Sequence, residues 1–157
     1  MLGTIVSGKL AKEGTVAQFD EAILDRRTFA IAIERALAHG EERALVLVDP
    51  RSAPDAGPQA EDWGALMLAF EARMARTIRP GDLLARLDGD RLAILTEPQT
   101  ARGAAERVAA RLADRLGEPF HVGGREVELR PRIGVGYPDG EADTAAAMLR
   151  RAEAVAR

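Results

Sequence analysis

The sequence predicts an α+β domain: one mixed, largely antiparallel sheet with helices packed against it. Three observations carry this. Apolar periodicities alternate along the chain in the order helix, strand, helix, hairpin, helix, hairpin, helix. The continuous apolar run over 44–48 has the composition of a strand buried on both faces. Two short apolar segments, 83–87 and 91–96, are joined through Asp88-Gly89-Asp90, a strong hairpin signal.

Each element has its own justification. Residues 1–18 carry Gly3, Gly8 and Gly14 and read as a leader or linker, with a short strand at 4–7; the domain is expected over 19–157. A first helix over about 26–38 places Phe29, Ile31, Ile33, Ala36 and Leu37 on a broad apolar face, and Gly40 sits where a helix stops. The buried strand ends at Asp49-Pro50, and 51–61, with Pro54, Gly57 and Pro58, is loop. A second helix over about 61–78 carries Leu66, Phe70, Met74 and Ile78 on one stripe, and Pro80 ends it by disfavouring helical geometry at Arg79. After the Asp88-Gly89-Asp90 hairpin a third helix spans about 101–116, with Ala105, Val108, Leu112 and Leu116 inward and Gly117 closing it. Strands at 120–122 and 127–135 bracket Gly123-Gly124 as a second hairpin. Tyr137-Pro138-Asp139-Gly140 is a turn, and a last helix starts near Thr144.

Composition narrows the function classes. A chain of 157 residues, 46% hydrophobic and 30% charged, suits one domain with a sizeable core. A net charge of −3 gives no general attraction to nucleic acid polymers or membranes, so any nucleotide site must come from a local arginine cluster. There is no cysteine, which excludes disulfides and thiolate metal sites. The two histidines, His39 and His121, are too isolated for a metal cage or a catalytic triad and read as structural or solvated. No apolar run spans a bilayer and the N-terminus lacks a signal peptide's basic start and apolar block; a cytoplasmic protein without membrane insertion is expected.

Several stretches, taken together, resemble the diguanylate cyclase (GGDEF) domain. Leu24-Asp25-Arg26-Arg27-Thr28-Phe29 is similar to that family's first helix start. Arg79-Pro80-Gly81-Asp82 stands five residues before Asp88-Gly89-Asp90-Arg91-Leu92, the family's spacing from its Arg-x-x-Asp motif to its signature hairpin. Ala105-Glu106-Arg107, Glu118-Pro119-Phe120, Arg132-Ile133-Gly134-Val135 and Leu149-Arg150-Arg151-Ala152-Glu153 match later landmarks in order. The resemblance covers roughly 19–157 and implies a ferredoxin-like palm, a central sheet flanked by helices. The family's last strand is expected to be missing, because Ala156-Arg157 stands before it.

The resemblance also implies a degenerate catalytic site. Active members join two GTP molecules with divalent metal held by carboxylates, since hard cations take oxygen ligands. Here Asp49 keeps one strand-end acid, but the second is Arg51 and the hairpin acid is Arg91. Asp88 stands for the first signature glycine, followed by Gly89, Asp90 and, after Arg91, Leu92. Cations at metal-ligand positions repel Mg2+, and Arg91 is expected to pair with Asp49 in the metal's place. No match for the family's guanine-holding Asn and Asp occurs in the 51–61 loop. No catalytic residue, metal or required cofactor is expected.

What remains is the family's inhibitory site, which binds the product, cyclic di-GMP. Its three residues match Arg79, Asp82 and Arg107. A guanidinium gives a bidentate fork to guanine or phosphate and can stack on a base. A carboxylate accepts from guanine N1–H and N2–H. Arg-x-x-Asp alone is a weak motif, for which a surface salt bridge is the bland account; Arg107 with Arg111 at i+4 is a like-charge pair unless an anion or Asp114 relieves it. The expectation is therefore a cyclic di-GMP receptor, with ligand-linked homodimerisation or control of a partner or fused domain. The alternatives are a structural or protein-interaction domain with a vestigial site, a GTP-sensing regulatory domain of a phosphodiesterase, and a weak cyclase.

Overall fold

The computed structural model describes residues 23–50, 60–98, 103–140 and 143–156. Strand β1 (Ile23–Leu24) leads into helix α1 (Arg26–Ala38), followed by β2 (Leu45–Asp49) and α2 (Ala60–Thr77). The chain continues through β3 (Leu83–Arg86), a 3-10 turn (Asp88–Asp90) and β4 (Leu92–Leu95) into α3 (Ala104–Leu116). It closes with β5 (Phe120–Val122), β6 (Arg125–Val127), β7 (Arg132–Gly136) and α4 (Ala145–Val155). Five strands form one sheet in the order β1-β3-β4-β2-β7, and β5-β6 form a separate ribbon. β1 runs parallel to β3, and the other pairs in the sheet are antiparallel. This is the α+β, palm-like fold with a mixed sheet and helices on both faces that the sequence predicts.

The alternation of side chains along β2 divides the core. Val46 and Val48 join Leu66, Phe70, Met74, Val108 and Leu112 beneath α2 and α3. Leu45 and Leu47 face Phe29, Ile33, Ala145, Met148 and Ala152 of α1 and α4. A period of two therefore fills two layers, which is why this strand is apolar throughout. The helix ends follow local chemistry. Asp25 caps α1, its Oδ1 accepting from the Thr28 amide at 2.7 Å. That bond is the main reason its carboxyl titrates below the usual carboxylate range. Thr144 caps α4 in the same way, accepting from the Ala147 amide at 3.1 Å.

Three expectations are corrected. The second hairpin is not 120–122 with 127–135: β5 pairs with β6 across Gly123-Gly124, and β7 is a separate strand against β2. The break falls at 128–131, where Leu129 turns into the core and Pro131 lacks the amide needed to continue the ribbon. Ile31 is 52% exposed and does not belong to the inward face of α1, because it lies two residues from both Phe29 and Ile33, off their stripe. α3 begins at Ala104 in the described chain, with Gly103 before it. The expected leader, the strand at 4–7, Arg51 and most of the 51–61 loop lie outside the described residues.

Candidate functional site

The residues singled out by the sequence lie on two surfaces, one at each end of β3. At its start, residues 79–82 form a tight turn: the Asp82 amide donates to the Arg79 carbonyl at 3.0 Å. Gly81 supplies a φ of +96°, and a Cβ added there would stand 3.0 Å from Glu97 Oε2. Asp82 fixes the turn from its other end. Its Oδ2 accepts from the Arg79 amide at 3.0 Å and its Oδ1 from the Glu97 amide at 2.8 Å. The carboxylate thus ties the turn to the strand exit at Glu97, a structural task that sequence spacing alone did not show.

The turn faces the first two turns of α3 across a cleft of about 220 Å³ lined by Arg79, Asp82, Glu97, Ala104, Arg107, Val108 and Arg111. The residues predicted from Arg-x-x-Asp and the following helix, Arg79, Asp82 and Arg107, therefore meet. On α3 the spacing 104, 107, 108, 111 puts the two arginines and their small apolar neighbours on one face. Arg79 and Arg107 are exposed and Arg111 is half-buried. Among the described residues the Nη2 of Arg111 is buried with no hydrogen-bond partner. With three guanidinium groups against two carboxylates, one of them already engaged by backbone amides, the cleft is suited to an anion.

At the far end of β3 lies the turn Asp88–Asp90, where Gly89 has φ +66° and Asp90 φ +70°. Its charged residues are tied to three different helices. Arg26 of α1 pairs with Asp88 at 2.6 Å. Trp63 of α2 donates its indole N–H to Asp90 at 2.8 Å. Arg91 pairs with Glu153 of α4, and its Nε donates to the Asp88 carbonyl at 3.3 Å. Leu92 is buried at the start of β4. Beside the turn, Arg86 makes a two-pronged bridge to Glu71 of α2, both contacts at 2.7 Å.

Asp49 sits one step past the Val48–Leu92 pair, at the register level of Arg91, and opposite Arg132 on β7. The carboxylate bound by Arg91 belongs to α4, on the sheet face opposite Val48 and Leu92, as strand alternation requires. Among the described residues no group of three or more His, Asp or Glu side chains is placed to hold a metal ion. His39 Nδ1 meets the Arg35 carbonyl at 2.8 Å and His121 is exposed on β5, as expected of structural or solvated histidines.

Sequence reasoning missed the anchors of the turn, since Arg26 and Asp88 are 62 residues apart and Trp63 and Asp90 27 apart. One signal existed for Trp63: a lone indole at a helix start carries an N–H that seeks an acceptor.

The family model "Diguanylate cyclase, GGDEF domain" matches residues 64–157, more than half of the chain. The chain is 38% identical over 87 residues to the response regulator PleD of Caulobacter vibrioides, covering 54% of this chain and 19% of PleD. It is 29% identical over 127 residues to the diguanylate cyclase TpbB of Pseudomonas aeruginosa, covering 78% of this chain and 29% of TpbB. The crystal structure of the TpbB GGDEF domain superposes with a TM-score of 0.75 at 26% identity, covering 84% of this chain and 86% of that one. The chain thus spans less than a third of the length of these curated relatives. Among the described residues no helix is long and apolar enough to cross a membrane.

Proposed function

Because the chain belongs to the diguanylate cyclase GGDEF family, we propose that it is a catalytically silent member that binds cyclic di-GMP in the cleft between the Arg79 turn and α3. The observation that carries this reading is the convergence of Arg79, Asp82 and Arg107 on one cleft of about 220 Å³. Two arginines at the rim offer forks to phosphate oxygens or guanine edges, and Asp82 keeps lone pairs free beyond those taken by the two amides. The pre-set turn lowers the cost of ordering Arg79 on binding.

The silent catalytic surface is supported from the other end of β3. Where the family resemblance calls for a metal-binding acid, the chain has Arg91, paired with Glu153. Neighbouring Asp88 and Asp90 accept from Arg26 and Trp63. A divalent ion there would have to displace a guanidinium and break these bonds. Ligand-linked dimerisation, or transmission to a partner or fused domain, would be the output.

A second reading has its own observation. Asp82 is engaged by two backbone amides, which explains its presence without any ligand. On that reading the chain is an interaction domain with a relic cleft. Calorimetric titration of cyclic di-GMP into the purified chain, with Arg79→Ala alongside, separates the two. Micromolar or tighter binding that the substitution weakens at least tenfold supports the receptor. Absence of binding to the unsubstituted chain rejects it in favour of the relic.

A further inference from the structure

The longer of the sheet's two outer strands is left open. β7 stands at the end of the order β1-β3-β4-β2-β7, and among the described residues β2 is the only strand paired with it. No backbone hydrogen bond from a loop of the described residues reaches 133–136 from the other side. The pairing with β2 runs in register over all five residues, so no bulge bends this edge away, and no proline or lysine interrupts it. Sheets commonly protect an edge by such devices or cover it. The core is also thin here. Residues 45–48 of β2 and 92–95 of β4 are buried throughout, whereas Ile133 and Val135, packed against the same core as Val46 and Val48, are only half-buried.

This edge complements itself. Antiparallel pairing of two copies about a two-fold axis at Gly134 sets Ile133 of each opposite Val135 of the other, on one face of the sheet. The half-buried side chains then cover one another. The same register brings Arg130 to within one position of direct opposition to Asp139 of the other copy, where opposite charges attract. Both residues are exposed, and among the described residues neither side chain has a partner. The helices on the two faces leave room. On α4 the flank opposite Leu149, which packs with the α1 side chains, carries Ala147 and Ala154. On α3 the flank away from Arg107 and the cleft carries Ala109 and Ala113. Alanines at these positions let two copies of each helix lie close together.

We propose that β7 is a homodimer interface, at which two copies of this chain join their five-stranded sheets edge to edge into one continuous sheet. A strand of five residues spans about 17 Å, so the interface is small and the association weak and reversible. It forms without cyclic di-GMP and uses no residue of the cleft, so it does not rest on the receptor reading above.

Sedimentation equilibrium of the 157-residue chain without ligand, at low salt and over micromolar to near-millimolar concentrations, tests this. A reversible monomer–dimer equilibrium is expected. Arg130→Glu and Asp139→Arg each weaken it about 5- to 30-fold, because two exposed ion pairs are replaced by like charges. The double variant, which swaps both charges, recovers to within about threefold of the unsubstituted chain. Val135→Lys, which puts a charge at the seam, leaves only monomer. Its melting temperature shows whether it is folded; if it is not, the charge swap on exposed side chains outside β7 decides the matter. Arg79→Ala leaves the dimer unchanged. A chain that stays monomeric at the highest concentration overturns the proposal. So does a dimer that neither single charge variant weakens, or one that the double variant fails to recover, since its contact then lies elsewhere.

Discussion

Asp82 accepts from two backbone amides while facing a cleft rich in arginine, so its replacement acts on the turn before it acts on any ligand. Asp82→Ala should cost about 1–3 kcal/mol of stability, the range for leaving donors of a charged acceptor unpaired. Urea unfolding measures this, and an unchanged midpoint would show that the two bonds do not hold the turn. Arg79→Ala, in contrast, removes an exposed side chain and should leave stability within about 0.5 kcal/mol while weakening ligand binding. At this scale the sequence was informative through resemblance: Arg79, Asp82 and Arg107 are legible because they match the family's inhibitory-site residues, Arg79 and Asp82 within one turn and Arg107 on the helix that follows β4. Arg111 was legible only as a like-charge neighbour of Arg107. It shares its cleft with the Arg79 turn, which comes from another element. The partner of Arg91 was hidden for the same reason, Glu153 lying 62 residues away.

Helix α4 depends on two glycines of β7. A Cβ on Gly134 would stand 2.0 Å from the Ala152 carbonyl oxygen, and one on Gly136 2.7 Å from that of Met148. Helix and strand therefore touch backbone to backbone, and Gly134→Ala should cost about 3 kcal/mol or more, through forced separation of the two. A thermal melt within a degree of the unsubstituted chain would contradict this packing. The start of α4 adds a dependence on pH. Asp143 is tucked under Arg151; burial raises its carboxyl's pKa, but the Arg151 guanidinium and the Asp139 and Thr144 amides outweigh burial and leave it below the ordinary value. The folded chain then binds fewer protons than the unfolded one as pH falls. Stability from this group is complete above the ordinary carboxylate range, about pH 4, and is lost as pH drops through the lowered folded value. Asp143→Asn should flatten the acid limb of a stability–pH curve, and a limb of unchanged steepness would contradict the pairing. The helices were legible from their apolar periods and caps, and α1 is found over Arg26–Ala38 as predicted. The strand after Gly124 was not, because Val127, Leu129, Ile133 and Val135 recur with a period of two, as along one strand, and only pairing partners reveal that β6 and β7 belong to different sheets.

At the level of the whole molecule, one sheet carries two sites at opposite ends of β3, and they differ in what their charges do. Around the Asp88–Asp90 turn, arginines, acids and an indole satisfy one another across α1, α2 and α4. In the cleft against α3, three arginines gather, and among the described residues the buried Nη2 of Arg111 has no hydrogen-bond partner. With a net charge of −3, attraction of an anion to the cleft would have to come from this local cluster and not from a general field. On the proposed reading, cyclic di-GMP would occupy the cleft, whereas GTP with Mg2+ would need the surface around Asp88–Asp90, where Arg91 pairs with Glu153. The most direct measurement is the melting temperature of the chain with cyclic di-GMP and, separately, with GTP and Mg2+. At a hundredfold excess over Kd, cyclic di-GMP should raise it by about 5 °C or more, from linkage and the usual dependence of melting temperature on stability. GTP with Mg2+ should leave it unchanged. Stabilisation by GTP with Mg2+ and none by cyclic di-GMP would contradict the account at its centre.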